Sequence, residues 1–516
     1  MTTRAFSFNR SIDRRHGVSV RRLRRGYRAG VMVALVALVL AGSACGSRLT
    51  GGALQVAEGS NHGGGSGTSG LLGTTGSGGT ASGSNGTAGT NGTSGTSGSA
   101  GSSGAAAGHA TAVAAGGSGG GGGSGATSAA CNASNNGGTT DIGITANQIT
   151  IGNITSISGV APGLTQAAQA ATEAFAAYVN SGGGICGRQL KVVTYDDQND
   201  SGQNASDVTQ ACHNQFALVG SASGFDNGGA AAMQSCGIPD MAAEISTHEL
   251  GNVPNAFGAT PGNAHYWPTG PAVWLKSQFP NAVTHAAMIY LNAPATQEQA
   301  TAEVSAYQSV GFNYIYQVAV SPTEPNYAPY VAKMQSAGVQ YVTEYSDDNS
   351  ASRLRQAMAQ ANYQPQVVDW FSEEYSQHFL AESQGNANGD LVLMATAPYE
   401  EAASNPGMQL FLSWLNRVAP GTKHDIFGQL AWSAGLAFLQ AAKAAGTHLT
   451  RATLLQQLGA IGPWDGGGVQ GPDQSLGQHI PSHCFSYFKI QGSSFVRVYP
   501  SAPNTFDCTS GSVVHY

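Results

Sequence analysis

The chain has 516 residues, but 72 are glycine and only 10% are charged, so length alone overstates the number of domains it can build. Nine Arg and one Asp fall within residues 1–30; the formal charge of −7 therefore leaves 13 basic against 28 acidic side chains in residues 46–516. No Lys/Arg cluster follows Arg28, which excludes nucleic acid as a partner, since phosphate binding needs clustered cations.

The basic start runs into an apolar stretch over 31–40 and then into small residues ending at Cys45. That order predicts a secretory signal over 1–45, because the apolar stretch falls short of the roughly 20 residues that span a bilayer. Leu40-Ala41-Gly42-Ser43-Ala44-Cys45 resembles a lipoprotein signal, although Gly42 stands where Leu is usual. Acylation of Cys45 is expected, with ordinary cleavage after Ala44 as the alternative. From 59 to 140 there is no Asp, Glu, Lys or Arg, and Gly, Ser, Thr and Ala dominate. Such a segment has too little apolar surface to offset ordering entropy, so 46–140 reads as a disordered tether. It would hold a folded body about 50–60 Å from its anchor. Glycine runs such as 119–123 have no strand before them and no helix after, so they are not phosphate loops.

From Asp141 strand-like and helix-like blocks alternate. Period-2 alternation rich in Ile predicts a strand over 148–155, and an Ala-rich run with Phe175, Tyr178 and Val179 predicts a helix over 166–180, stopped by Gly182-Gly183-Gly184. A strand over 189–195 and a helix over 201–214, capped by Asp200 or Ser201, follow. Strands at 216–219 and 238–243 flank a short helix at 227–235. The alternation resumes with strands at 285–291, 314–320, 340–344 and 367–370, and helices near 296–310, 327–337 and 350–361. Regular βαβ alternation predicts parallel sheets covered on both faces, and residues 141–516 are too many for one sheet, so two Rossmann-like lobes are expected.

No G-x-S-x-G elbow set between a strand and a helix, no P-loop and no helical zinc His pair occurs, so the sequence offers no grouped catalytic machinery, and neither catalysis nor a cofactor is expected. His479 and His483 are four apart, but Pro481 between them spoils a helix, so no metal site is expected. Apart from Cys45, the six cysteines Cys131, Cys186, Cys212, Cys236, Cys484 and Cys508 suit disulfides in an exported chain, with 15 pairings open.

The run from Asn180 through Ser181-Gly182-Gly183-Gly184-Ile185-Cys186-Gly187-Arg188 to Leu190, followed by Tyr195-Asp196-Asp197, resembles the type I periplasmic binding proteins of the leucine/isoleucine/valine-binding class. Ser158-Gly159, Leu218-Val219-Gly220-Ser221, Cys236-Gly237-Ile238-Pro239 and the run from Asn326 to Met334 keep the order and spacing of that family across about 147–500. The resemblance implies three crossings between lobes, near 260–262, 395–398 and 465–471. Lobe one is then 141–261 plus 397–465, and lobe two 262–396 plus 466–516. It implies a clamp that captures a small polar ligand (an amino acid, an amide or a related solute) for an ABC permease. The expected form is a monomer, lipid-anchored on the outer face of the cell membrane. A sensor of the same fold, signalling to a membrane partner without transport, is the alternative. In the expected strand order 2-1-3-4 the pairings become Cys131–Cys186, Cys212–Cys236 and, in the tail, Cys484–Cys508.

In amino-acid-binding members, hydroxyls and backbone N–H groups after strands three and four of lobe one hold the ligand carboxylate, and a lobe-two carboxylate holds its ammonium. The resemblance carries the first role to Ser221, Ser223, Gly224, Phe225, Glu244, Ser246 and Thr247, and the second to Glu373 or Glu374. Ser158, Asn292 and Tyr345 complete the candidate set. Three departures argue against carrying over branched-chain specificity: Gly163-Leu164 where an aromatic is common, Asn292-Ala293-Pro294-Ala295 without the usual Tyr, and Glu244 in place of a small residue.

Overall fold

The computed structural model describes residues 131–260, 266–472 and 475–515. The expected signal, Cys45 and nearly all of the expected tether lie outside the described residues.

A first sheet is built from β1 (Gln148–Thr155), β2 (Gln189–Asp196), β3 (Ala217–Val219), β4 (Asp240–Glu244) and β5 (Ala256–Thr260), all parallel in the order β2-β1-β3-β4-β5. β1 is buried on both faces from Ile151 onward, as a central parallel strand must be. β4 starts two residues later than its sequence pattern suggests: Pro239 has no amide hydrogen, so only its carbonyl joins the ladder, accepting from Leu218 N–H at 2.8 Å. The crossover helices α1 (Gln166–Ser181), α2 (Ser201–Asn214), α3 (Asn227–Cys236) and the one-turn α4 (His248–Gly251) connect these strands. Asp200 caps α2, accepting the Gln203 N–H at 2.8 Å.

β6 (Tyr266–Pro268) and α5 (Gly270–Gln278) lead into a second sheet. Its strands are β7 (Ala286–Leu291), β8 (Tyr314–Val320), β9 (Tyr341–Tyr345), β10 (Val367–Trp370), β11 (Leu391–Met394), β12 (Ser486–Gln491) and β13 (Ser494–Tyr499), in the order β13-β12-β11-β10-β9-β7-β8. β7 to β11 are mutually parallel, and the late hairpin β12–β13 adds an antiparallel edge. Helices α6 (Pro294–Val310), α7 (Ala328–Ala337), α8 (Asp348–Gln360) and α9 (Gln377–Glu382) belong to this half, and β14 (Val513–His515) pairs with β6. The chain between the two visits to the second sheet forms α10 (Pro406–Val418), α11 (Ile426–Ala445) and α12 (Arg451–Leu458), and α11 packs on α1. Among the described residues no helix is long and apolar enough to cross a membrane.

Two of the passages between sheets pair directly: Ala397 N–H donates to Val469 O at 2.9 Å and Gly471 N–H to Ala395 O at 2.7 Å. The buried Gln470 amide reaches the end of β5 as well, donating to Ala259 O at 2.8 Å while accepting from the Ser433 hydroxyl at 2.6 Å.

The bridges Cys131–Cys186, Cys212–Cys236 and Cys484–Cys508 form, with Cα atoms 5.0, 6.0 and 4.1 Å apart. The first ties the chain before β1 to the turn before β2, and the second ties α2 to α3. Arg188, in the motif that carries the family resemblance, is fully buried and donates to the carbonyls of Thr145, Asn136 and Gly138. Its role is to gather the segment ahead of β1.

Candidate ligand-binding cleft

Two cavities draw their walls from both sheet bodies. The larger, about 570 Å³, is polar. It lies between the Ala161–Leu164 loop and α1 on one side, Asp347, Asp348, Glu373, Ser376 and His378 on the other, and the 419–425 loop ahead of α11. Its carboxylates have local duties: Asp347 caps α8, accepting from Asn349 and Ser350 N–H at 3.0 and 3.3 Å, and Asp425 caps α11. Asp348 meets His378 Nδ1 at 3.2 Å, and this hydrogen bond, more than charge, holds the imidazole above its ordinary range.

The smaller cavity, about 180 Å³, is walled by Ile245, Trp267, Phe371, Leu393, Met394, Ile426, Leu430 and Phe485. Its polar points include Glu244, Ser246, Glu298, Gln299 and Thr396, with Thr260, Ser372, Ser482 and His483 also on its lining. Parallel strands end here, which is where open α/β sheets place ligands: Glu244 closes β4, and Phe371 and Thr396 follow β10 and β11. Gln299 Nε2 donates to Glu244 Oε1 at 3.2 Å, joining α6 to β4 across the cleft. Burial pushes the Glu244 carboxyl up to about 7. Glu373 is pushed well above its usual range, first by burial and then by the charge of Glu244. The two acids are therefore close enough to sense one another.

The expected ligand residues separate into several groups. Glu244, Ser246 and Glu373 line the cavities. Ser221, Ser223 and Glu244 line a recess of only about 20 Å³. Gly224 faces α6 of the other body: a Cβ there would stand 3.9 Å from the Ala295 Cβ, an ordinary contact distance. Phe225 N–H donates to the Ser223 hydroxyl at 3.0 Å. Thr247 is fully buried and caps α4. Ser158 is bound through its N–H and its hydroxyl to Asp196, at 3.1 and 2.6 Å. Asn292 is exposed outside both cavities. Tyr345 lies in the second core, its hydroxyl donating to Glu303 at 2.8 Å. Glu374 is fully buried beside Glu344, and burial first, then the Glu344 charge, drives its carboxyl well above the ordinary range.

Trp267, Gln299 and Thr396 in the cleft, and Asp226 in the small recess beside it, are residues that local sequence pattern does not single out. Asp226 directly follows the Ser223-Gly224-Phe225 loop, and a carboxylate beside candidate anion donors was the available signal. Thr396 falls inside the expected crossing near 395–398, where sequence alone assigns it no ligand role.

The chain matches the model of a family described as periplasmic binding protein over residues 148–494. No curated protein matches it. Among solved structures, a fatty acid ABC transporter substrate-binding protein from Thermomonospora curvata is 17% identical with a TM-score of 0.62, covering 71% of this chain and 98% of that one. A solute-binding protein of an ABC transporter from R. palustris, in complex with benzoate, is 14% identical with a TM-score of 0.59, covering 72% and 98%. The branched-chain amino acid transporter substrate binding protein LivJ of Streptococcus pneumoniae, in complex with isoleucine, is 15% identical with a TM-score of 0.57, covering 72% and 100%. At these identities the likeness is one of fold.

Proposed function

This chain belongs to the periplasmic binding protein family, and from that premise we propose that it captures one small molecule between two lobes outside the cytoplasm and hands it to an ABC permease, without catalysis. The observation that carries the reading is the 180 Å³ cavity, whose walls come from β4 and α11 on one side and α6, β11 and Phe371 after β10 on the other. A ligand there touches both halves at once, and a ligand can favour a closed clamp only through contacts that the open one lacks. We take the lobes as 141–261 plus 397–465, and 262–396 plus 466–516. Gln470 and the paired crossings support the hinge. An acylated Cys45, with 46–140 as tether, would keep the clamp near its permease.

The test is a thermal-shift screen of the exported protein against amino acids, amides, amines, sugars and aromatic acids. A ligand present at 100 times its Kd should stabilise by about 2.7 kcal/mol. The Trp267→Ala variant should lose most of that gain. A screen without any shift, or a hit whose affinity ignores Trp267→Ala, contradicts the reading.

A further inference from the structure

Three donors at the ends of β3 and β4, the Ser246 N–H and the Thr247 and Ser223 hydroxyls, are already occupied by the chain's own carboxylates. Ser246 N–H donates to Asp226 Oδ2 at 2.7 Å, and the Thr247 hydroxyl donates to the other oxygen of the same group. The Ser223 hydroxyl donates to Asp197, which also takes the Ser156 hydroxyl at 2.8 Å and the Asn204 amide at 3.1 Å. The Ser221 hydroxyl accepts the Ile154 N–H at 3.2 Å, which leaves its own O–H to donate. Asp226 is 6% exposed and Asp197 is fully buried, so these are interior bonds that solvent does not compete for. An incoming carboxylate at this place would find its seat filled by Asp226.

The remaining charges point the same way. Glu244 and Glu298 border the apolar cavity, and among its described lining residues there is no Lys or Arg. In the polar cavity Lys423 faces Asp347, Asp348, Glu173 and Glu373. An anion entering this cleft leaves water for a surface of its own sign, which is costly without fixed donors.

A separate observation points to an occupant. The Thr396 hydroxyl is in a side chain only 2% exposed, lines the apolar cavity, and has no hydrogen-bond partner among the described residues. Glu373 Oε2, at the border of the polar cavity, is likewise buried and unpartnered. Buried polar atoms are almost always bonded in native proteins, so these two await a group from outside the chain. A hydroxyl can accept from an N–H, and so can an ionised carboxylate, so a ligand with an N–H head can satisfy either atom. The cavity also limits size: an apolar void of about 150 Å³ accepts one benzene ring, and this one is about 180 Å³.

We propose that the ligand carries a primary amine or amide head on a single aromatic or short branched body, and no carboxylate. The head donates to Glu244 and its neighbours, and the body lies against Trp267 and Phe371. This deepens the solute-binding reading and rests on it.

The test is calorimetric titration of the exported protein with phenethylamine, 2-phenylacetamide and phenylacetate, which share a body and differ in head. The pH is set above the Glu244 value of about 7, so that this acid is ionised. The amine or the amide should bind at least about tenfold more tightly than the acid, a difference of about 1.4 kcal/mol. Glu244→Gln should weaken the amine about tenfold or more and the amide much less, because only the amine needs the charge. Phenylacetate binding as tightly as either N–H probe overturns the proposal and leaves the solute-binding reading standing. So does silence of all three probes when the wider thermal screen yields another ligand. Silence of the whole screen removes both.

Discussion

Arg188 shows how one side chain can carry a motif without touching ligand. Its guanidinium fork meets three backbone carbonyls ahead of β1 in a site without solvent access. Arg188→Ala strands those carbonyls and should cost about 3 kcal/mol or more. Arg188→Lys should recover little, since a single ammonium cannot reproduce the fork. Urea unfolding measures both; a loss below about 1 kcal/mol for Arg188→Ala would contradict this role. Glu374 gives a second case, because its carboxyl is held well above the usual range by burial and by Glu344. Glu374→Gln removes a charge that the fold resists, so it should raise Tm under alkaline conditions and have little effect under acidic ones. An unchanged alkaline Tm would sink that account. At this scale the sequence was only half legible. Ser223, Ser246 and Thr247 lie in the loops where they were expected, yet the carboxylates that engage them stand 20 to 26 positions away. Only the folded sheet brings those partners together, so local pattern could not reveal that the donors were taken.

At the scale of elements, α1 and α11 pack so closely that a Cβ on Gly435 would stand 2.4 Å from the Phe175 ring. Gly435→Ala should therefore cost about 1–3 kcal/mol by overpacking, against the usual gain of removing a helical glycine. Denaturant unfolding distinguishes the two signs. Gln470 is the corresponding point among the crossings: Gln470→Ala leaves the Ala259 carbonyl and the Ser433 hydroxyl short of a partner, a loss of about 1–3 kcal/mol. Most elements of the first sheet and the parallel part of the second could be read from period-2 runs broken by helical ones, because most such strands are short, carry β-branched residues and are bounded by turn residues. β5 escaped notice since Ala256–Thr260 has two alanines and a glycine and draws its burial from β4 and α11. The hairpin β12–β13 escaped because it joins a parallel sheet from far along the chain, which alternation does not foretell.

At the scale of the molecule, buried acids set the pH response. Burial raises Asp226, Glu244, Glu344, Asp369 and Asp425 to about 7, and Asp240 and Glu303 to about 8. Each holds its proton in the folded state at a pH where the unfolded chain has released it. The stability they lend is full below the ordinary carboxylate range, near pH 4, and is lost as pH rises through 7 to 8. Tm should accordingly fall between mildly acidic and mildly alkaline buffer; a Tm that rises over that interval would contradict the burial of these groups. The same interior acidity gives the cleft its proposed taste for N–H donors, so stability and specificity are coupled through one set of side chains. The central claim is that a single small ligand is held between the two sheets, and a crystal structure of the exported protein with its strongest thermal-shift hit tests it most directly. The account predicts density in the apolar cavity, touching Glu244 on one side and Phe371 or Thr396 on the other. Density confined to one sheet body, or lying outside this cleft, would contradict it.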